Sequence, residues 1–429
     1  MSRIPRPVWL LGWSSLFTDA ATEMIYPVLP VYLARVLGAG AFSLGLIEGV
    51  AEAINSLLKV ASGWASDRWT RRKPIVIAGY AVSSAARPLI ALTTTWPQVL
   101  LIRALDRTGK GIRGAPRDVM LAQFATPSTR GRIFGFHRAM DHTGAILGPL
   151  IATVILFFAP GDYRLLFGLT LIPGAIAVAL LFLVPEPESE SEVGRVPRSG
   201  PAVREDAQVG RVPLSESAGG PATRRDVGQV PRSGPAERLP KRLLAFLAVL
   251  LVFSLGNSAD AFLLLRLSDE LGSATYIPLL WAGLHVVKAS LSTWGGALSD
   301  RLGRKRVIII GWTIYAVVYI GFAIAQDART LIAWFLAYGS YFAFAEGAEK
   351  ALVADLTPAG RQGIAFGVYN AVLGLGALAA SVTFGFLYER FGPSVAFGTG
   401  SAIAACAAML VACIRTTPDR GAMIEGSNA

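Results

Sequence analysis

The sequence predicts an all-α integral membrane protein with twelve transmembrane helices, built as two repeats of six. Of its 429 residues, 53% are hydrophobic and only 16% are charged, whereas soluble domains have about 25% charged residues. Apolar windows long enough to cross a hydrocarbon core of about 30 Å follow one another along the chain. A short basic loop also occurs twice, at equivalent places in the two halves. These three observations together define the predicted fold.

The apolar windows fall into two groups, six before residue 185 and six after residue 240. Each window is predicted to be a helix, because in lipid every backbone N–H and C=O group must be satisfied within its own segment. We number the membrane spans 1 to 12 in chain order. Their predicted bounds are 8–36, 42–66, 74–95, 97–123, 133–159, 163–184, 242–268, 274–299, 306–326, 329–354, 363–388 and 394–414.

The same windows divide the chain into four parts. Residues 1–184 form a predicted N-terminal six-helix bundle, residues 241–415 a C-terminal six-helix bundle, and residues 416–429 a cytoplasmic tail. Residues 185–240 are rich in Pro, Gly, Ser, Glu and Arg, and they have too little apolar mass to fold, which predicts a disordered linker. Basic loops alternate with loops poor in Arg, and cytoplasmic loops accumulate Lys and Arg. We therefore expect both termini in the cytoplasm and the protein in a bacterial plasma (inner) membrane.

The repeated basic loop lies between spans 2 and 3 and again between spans 8 and 9. Residues 63–73 read GWASDRWTRRK and residues 296–306 read GALSDRLGRKR. Both copies keep the order Gly-x-x-x-Asp-Arg followed by further basic residues. An ordinary basic loop would explain either copy alone but not the shared order. The pair therefore predicts a duplicated membrane unit.

This loop resembles the motif of the major facilitator superfamily, Gly-x-x-x-Asp-Arg-x-Gly-Arg-Arg/Lys, although Thr70 replaces the second Gly in the first copy. In span 5, residues 144–152 read GAILGPLIA and resemble the Gly-x-x-x-Gly-Pro-x-x-Gly signature of the superfamily's antiporters. Residues 17–27 and 105–118 are similar to a prokaryotic branch of the family. The resemblance implies two parallel repeats with a binding site between them at mid-membrane depth.

Ionisable residues inside the spans are the candidate site, because such groups are costly in lipid and mostly face a cavity or each other. Asp19 and Glu23 are four residues apart and share a face of span 1. Desolvation favours the neutral form of such a carboxyl group and a neighbouring Arg favours the charged form, so we expect these two to couple protons or to form a static ion pair with span 4. The predicted substrate and proton-coupling residues are Asp19, Glu23, Glu48, Glu52, Asn55, Asp106, Arg107, Lys110, His285, Lys288, Glu346 and Glu349, and Asn257 and Asp260 of span 7 belong to the same class.

Arg107 and Lys110 fall on a helix 4 pattern that the superfamily links to proton coupling, Arg-x-x-Gln-Gly-x-Gly-x-Ala. Lys110 and Arg113 stand in place of its Gln and second Gly. In span 5, small residues four apart allow close helix packing, and Pro149 removes a backbone hydrogen bond. This feature is either an antiporter motif, which favours export, or a packing motif alone. The antiporter-like residues are Gly144, Gly148 and Pro149.

A second group of residues is predicted to gate the cytoplasmic side. A loop carboxylate such as Asp67 is poorly placed to bind substrate, so we expect it to latch onto a basic group at the end of another helix, with Asp300 as its counterpart. The predicted gating residues are Gly63, Asp67, Arg68, Arg71, Arg113, Arg117, Asp118, Asp300, Arg301 and Arg304.

The predicted function is secondary active transport, with proton-coupled efflux of a small organic or charged solute by alternating access. The sequence has no ATP-binding Gly-x-x-x-x-Gly-Lys-Ser/Thr loop, and nothing in it suggests an enzyme. We expect a monomer in the lipid bilayer whose partners are a small-molecule substrate and protons, with no cofactor, no bound metal and no nucleic acid. The net charge of +11 is explained by the basic loops. One alternative is a transition-metal or metal-chelate exporter that uses carboxylates with His285, and another is a non-transporting solute sensor that signals through the linker.

Overall fold

The computed structural model describes residues 4–66, 71–125, 129–185, 239–358 and 361–414. Twelve membrane spans occupy these ranges, and each begins and ends within three residues of its predicted bounds. The helices are Arg6–Ile25 and Leu29–Arg35 in span 1, Ala41–Ser66 in span 2, Lys73–Ala86 with the 3-10 helix Arg87–Leu92 in span 3, Trp96–Gln123 in span 4, Arg130–Phe158 in span 5, Tyr163–Leu169 and Leu171–Phe182 in span 6, Lys241–Gly256 and Ala261–Leu271 in span 7, Ile277–Leu302 in span 8, Arg304–Ile324 in span 9, Ala328–Asp355 in span 10, Gln362–Phe391 in span 11 and Pro393–Cys413 in span 12. Residues 186–238 of the predicted linker, the tail from residue 415, and Asp67 and Arg68 lie outside the described residues.

Spans 1, 3, 6 and 7 are not the single α-helices that their apolar windows predict. In span 1 the helix stops at Ile25, just before Pro27, which has no N–H group to donate to the preceding turn. In span 7 the helix stops at Gly256 and restarts at Ala261 without any Pro between them. Irregular backbone at membrane depth is tolerated where it lines a cavity, and residues 257–260 do line one.

Eight helical segments of the described chain are long and apolar enough to cross a membrane by length and composition. They correspond to spans 2, 3, 5, 6, 7, 9, 11 and 12. The other four spans, 1, 4, 8 and 10, contain nine of the twelve predicted substrate and coupling residues. Ionisable candidates are thus concentrated in these four spans, and the described part of span 8 still contains the apolar helix Ile277–Leu291.

The two halves meet mainly along two pairs of helices, spans 2 and 11 and spans 5 and 8, with smaller contacts of span 7 with spans 1 and 2. Glycines allow spans 2 and 11 to approach closely. A Cβ atom on Gly45 would overlap the carbonyl oxygen of Ser381, and a Cβ atom on Gly385 would lie 2.6 Å from the carbonyl oxygen of Ala41. A larger residue at either position would push the helices apart, so the glycines determine how tightly this seam closes.

We call the membrane face with the Arg-bearing loops the basic side and the other face the opposite side. On the opposite side, hydrogen bonds join the halves. Arg35 donates to the carbonyl oxygens of Ser268 and Gly272 at 2.6 and 3.0 Å, and the backbone N–H of Phe42 donates to Glu389 at 2.8 Å. Both contacts match helix dipoles, with a cation at a helix C-terminus and an anion at a helix N-terminus.

Towards the basic side, a cleft of about 750 Å³ lies between spans 2, 4 and 11. Lys59, Gly63, Asp118 and Gly367 are among the residues that line it. The described structure is thus joined between its halves on the opposite side and has a cleft between them towards the basic side.

Candidate functional site

A cavity of about 430 Å³ lies between the two halves and is lined by spans 1, 2, 4, 7, 8, 10 and 11. Its volume is in the range typical of sites for small molecules. The lining residues are Glu23, Tyr26, Glu48, Glu52, Arg107, Lys110, Asn257, Ser258, Ala259, Asp260, Trp281, His285, Lys288, Tyr338, Phe342, Ala377 and Ser381. Of the twelve predicted substrate and coupling residues, seven line this cavity: Glu23, Glu48, Glu52, Arg107, Lys110, His285 and Lys288.

A network of two acids and two arginines lies within the first half, beside the cavity. Arg103 donates from one nitrogen, Nη2, to both carboxylate oxygens of Glu48, at 2.8 and 3.0 Å. Asp106 accepts from Nε of Arg87 at 3.0 Å and lies 3.7 Å from Arg103. The side chains of all four are 2–7% exposed. The two positive and two negative charges balance, which allows them to be buried together.

Among the described residues, a hydrogen bond between span 1 and span 8 connects the two halves at the cavity. The indole Nε1–H of Trp281 donates to Glu23 at 2.7 Å, and the ring of Tyr26 lies 5.0 Å from the Trp281 ring. Trp281 also orients His285, whose Nδ1 lies 3.0 Å from the Trp281 carbonyl oxygen. The carboxylate of Glu23 in span 1 is thus in direct contact with span 8 of the other half.

The second half provides a wall of hydroxyl and aromatic groups. Tyr338 donates to Asp260 at 2.7 Å, at the break in span 7. Lys288 lies 3.3 Å from the centre of the Phe342 ring, a cation–π contact. Asp260 thus contacts a neutral hydroxyl group and Lys288 contacts a neutral aromatic ring.

Arg107 and Lys110 differ from Arg103 and Arg117 of span 4, which form ion pairs. Neither forms an ion pair or hydrogen bond with any residue in the described ranges, and Nε of Arg107 is buried without a partner. Glu52, on the facing part of span 2, instead accepts from Asn55 at 3.2 Å and from Ser56 at 3.3 Å. The cavity therefore keeps basic and acidic groups near each other without direct contact.

Five predicted substrate and coupling residues do not line the cavity. Asp19 lies one turn before Glu23 and close enough to Lys110 to interact electrostatically. Glu346 forms an ion pair with Lys350 at 2.7 Å. The other three are buried elsewhere: Asn55 beside Gly111, Asp106 in the arginine network, and Glu349 between Trp312 and Tyr369.

The structure describes only part of the predicted gate, since Asp67, Arg68 and the side chain of Asp300 lie outside the described residues. The guanidinium of Arg113 lies 4.1 Å from the centre of the Tyr80 ring. Arg117 donates to Asp118 at 3.0 and 3.1 Å. Arg304 lies 3.5 Å from Asp355 in the second half. The remaining predicted gating residues are Gly63, beside Ala115 of span 4, and Arg71 and Arg301, which are exposed.

The antiporter-like motif packs span 5 against span 1. Cβ atoms on Gly144 and Gly148 would overlap the carbonyl oxygens of Leu16 and Ala20. Pro149 lies inside the continuous helix of span 5. Spans 1 and 5 therefore approach each other closely beside Asp19, which lies one turn before Glu23 on the same helix.

Several residues of the site were not predicted. Arg87 is an ionisable residue inside an apolar window, so the rule applied to the other spans could have found it. Tyr26, Trp281 and Tyr338 carry no such signal, because an aromatic residue in a membrane span faces lipid as readily as a cavity. Their roles are visible only from the contacts with Glu23 and Asp260.

Comparison with known proteins gives the family. The sequence model of the Major Facilitator Superfamily matches residues 11–259 and 244–427. An MFS-type transporter of Methanocaldococcus jannaschii is 31% identical over 414 residues, covering 95% of this chain and 94% of the relative. The multidrug resistance protein MdtH of Photorhabdus laumondii is 26% identical over 149 residues, 34% of this chain and 37% of that protein. The crystal structure of the nucleoside transporter NupG (D323A mutant) superposes with a TM-score of 0.71 at 12% identity, covering 95% and 98% of the two chains.

The family match and the structural likeness confirm both the resemblance seen in the sequence and the predicted fold of twelve spans in two domains. Proteins of this family move small molecules across membranes, and the cavity between the halves is where a binding site is expected. The chain therefore belongs to the major facilitator superfamily and is a multi-pass membrane transporter, not an enzyme.

Proposed function

We propose that this protein exports a small charged organic solute in exchange for protons, by alternating access of the cavity to the two sides of the membrane. The observation that carries the proposal is the hydrogen bond from Trp281 to Glu23, because it joins an ionisable group of one half to a fixed donor of the other. Protonation of Glu23 therefore weakens its hydrogen bond to Trp281, and this bond has to break when the two halves move apart at the cavity.

The direction of this effect follows from the chemistry of the bond. A hydrogen bond to an ionised carboxylate is about twice as strong as one between neutral groups. Deprotonated Glu23 therefore favours the arrangement in which the halves are joined on the opposite side. Proton binding weakens that arrangement, and a solute that competes with the proton produces exchange.

Three features support export through the membrane of a bacterial cell. The basic side is the cytoplasmic side by the distribution of Lys and Arg, so both termini are cytoplasmic and the cleft between spans 2, 4 and 11 faces the cell interior. The glycines of the antiporter-like motif pack against span 1 next to the coupling carboxylates. One similar protein, MdtH, is named a multidrug resistance protein.

Everted membrane vesicles test the proposal. Respiration acidifies their lumen, which a pH-sensitive dye reports, and amino acids, organic acids and nucleotides are added one at a time. We expect at least one charged solute to dissipate the pH gradient with the wild-type protein but not with Glu23→Gln. Asp327→Asn is the matched control, since this exposed carboxylate only caps the start of span 10 and an amide caps it equally well.

A second measurement separates lost coupling from lost folding. Without a pH gradient, Glu23→Gln vesicles should still exchange labelled for unlabelled solute. Full retention of gradient-driven transport by Glu23→Gln would rule out the coupling role of this residue.

The two alternatives have no observation that favours them. Within the described ranges, no group of three or more His, Cys, Asp or Glu side chains could hold a metal ion. Signalling through the linker depends on residues 186–238, which lie outside the described residues.

A further inference from the structure

We propose that Arg107 and Lys110 form a subsite for an oxyanion, the carboxylate or phosphate group of the transported solute. This inference rests on the proposed transport function and adds the chemical class of the substrate. Span 4 has two groups of basic residues. Some contact other side chains of the protein, whereas Arg107 and Lys110 line the cavity.

The other three arginines of span 4 all have partners. Arg103 binds Glu48, Arg113 lies over the Tyr80 ring, and Arg117 donates to Asp118. Arg107 lies one turn after Arg103 and lines the cavity. Nε of Arg103 and Nη1 of Arg113 are also buried without a hydrogen-bond partner, but these two side chains contact Glu48 and the Tyr80 ring. Among the described arginines of span 4, Arg107 is distinguished by its position on the cavity wall.

Burial makes the open position of Arg107 costly. The residue is only 7% exposed, and Nε has no hydrogen-bond partner among the described residues. A buried cation is normally paired with an acid or bound to a ligand. The planar guanidinium matches carboxylate and phosphate geometry through two parallel hydrogen bonds, so an oxyanion is the ligand that fits it best.

Lys110 extends the same subsite. It lies three residues after Arg107, a spacing that places both on one face of the helix, and it also lines the cavity. Lysine adds three donors at the end of a flexible chain. Together the two side chains offer a planar fork and a point charge to one oxyanion.

The acids of the cavity do not occupy this subsite. Glu48 is bound by Arg103, Glu23 accepts from Trp281, and Glu52 accepts from Asn55 and Ser56. Asp106, Glu48 and Glu52 are near enough to Arg107 to interact electrostatically, which reduces the cost of the buried cation. The direct contacts of Arg107 remain available to the solute.

Binding of small anions to the purified full-length protein in detergent tests the proposal. The probes are benzoate with its neutral analogue benzamide, and phenyl phosphate with phenol; the aromatic ring suits a cavity lined by Tyr26, Trp281 and Phe342. The readout is the rise in thermal unfolding temperature with probe concentration, followed by tryptophan fluorescence. We expect wild type to be stabilised by at least one anion more than by its neutral analogue.

Matched variants assign the effect to the subsite. Arg107→Gln should weaken anion binding by about 10- to 100-fold, since hydrogen bonds to charged groups are lost, and Arg107→Lys should retain part of it. Arg329→Gln is the control, because Arg329 is an exposed arginine at the start of span 10, outside the cavity. If Arg107→Gln does not unfold cooperatively, Lys110→Gln is measured in its place with the same criterion.

Each outcome decides the question. A response to benzoate alone assigns a carboxylate, and a response to phenyl phosphate alone assigns a phosphate. If neither anion exceeds its neutral analogue in wild type, or if the subsite variant responds as wild type does, the proposal is wrong. Anion binding is measured in detergent without a proton gradient, whereas proton coupling is measured by gradient-driven transport in vesicles. Loss of the subsite and loss of the proposed function are therefore observed separately.

Discussion

Replacement of Arg103 by Met is expected to destabilise the protein strongly, although Met fills much of the same space. Arg103 donates to both oxygens of Glu48, at 2.8 and 3.0 Å, and lies 3.7 Å from Asp106. At an effective dielectric constant of about 20, unit charges separated by the shortest of these distances attract each other by about 6 kcal/mol. Desolvation of both partners offsets much of this gain in the intact protein.

The loss of unfolding free energy in Arg103→Met is larger than the net contribution of the ion pair to stability. Glu48 stays buried and desolvated in the variant but has lost its partner. Removing one member of a buried pair typically costs about 3–5 kcal/mol. Asp106 remains paired with Arg87 at 3.0 Å, and Glu48 borders the cavity, where water can reach it. We therefore expect a loss near the lower end, about 3 kcal/mol.

A double variant isolates the cause. Glu48→Leu combined with Arg103→Met replaces the pair by apolar groups, which is often neutral, so its stability should return to within about 1 kcal/mol of wild type. The assay is equilibrium unfolding in mixed micelles, read as a double-mutant cycle, with the exposed Arg329→Met as control. If Arg103→Met matches the control, or if the double variant is no more stable than the single one, the buried-pair reasoning is refuted.

Arg35→Gln should favour opening on the opposite side, since it weakens the bonds to two carbonyl oxygens of span 7; faster labelling of a cysteine introduced at Ala39 would show it, and an unchanged rate would contradict it. Gly45→Ala should also increase this labelling and slow transport, because the added methyl overlaps span 11, whereas Gly347→Ala, where a Cβ atom meets nothing within 4 Å, should do neither. Glu349→Leu should lower the unfolding free energy by about 1–3 kcal/mol, because it leaves two buried donors without an acceptor; Glu349→Gln should lose clearly less, and equal losses would argue against this explanation.

The positions of the spans were predictable, because a membrane imposes a minimum apolar length and requires helices throughout. The breaks within them were not equally predictable. Pro27 gives a local reason for the break in span 1. The break at residues 257–260 in span 7 has no such signal, since it depends on the approach of Gly256 to span 12 and on the cavity that the unwound residues line.

The residues of the candidate site were likewise predictable only in part. Charge in an apolar window identified Glu23, Glu48 and Arg107 as candidates, since such groups are rare and costly in lipid. Helical spacing placed Arg103 and Arg107 on roughly the same side of span 4. Arg107 also falls on the superfamily's helix 4 pattern, whereas the sequence alone assigns no role to Arg103. Only the contacts across spans show that Arg103 is held by Glu48 and that Arg107 faces the cavity without an acid bound to it.

In the proposed alternating access, contacts within one half stay in place and contacts between the halves break. The network of Arg87, Asp106, Arg103 and Glu48 lies within spans 2, 3 and 4, so rocking of the halves leaves it intact. In the described part of the chain, four hydrogen bonds cross between the halves: two from Arg35, one to Glu389 and one from Trp281 to Glu23. Such bonds contribute about 1.5–3 kcal/mol each when one partner is charged, and water replaces part of that when they break. In the proposed function, protonation of Glu23 weakens one of these bonds and so shifts the balance between the two arrangements.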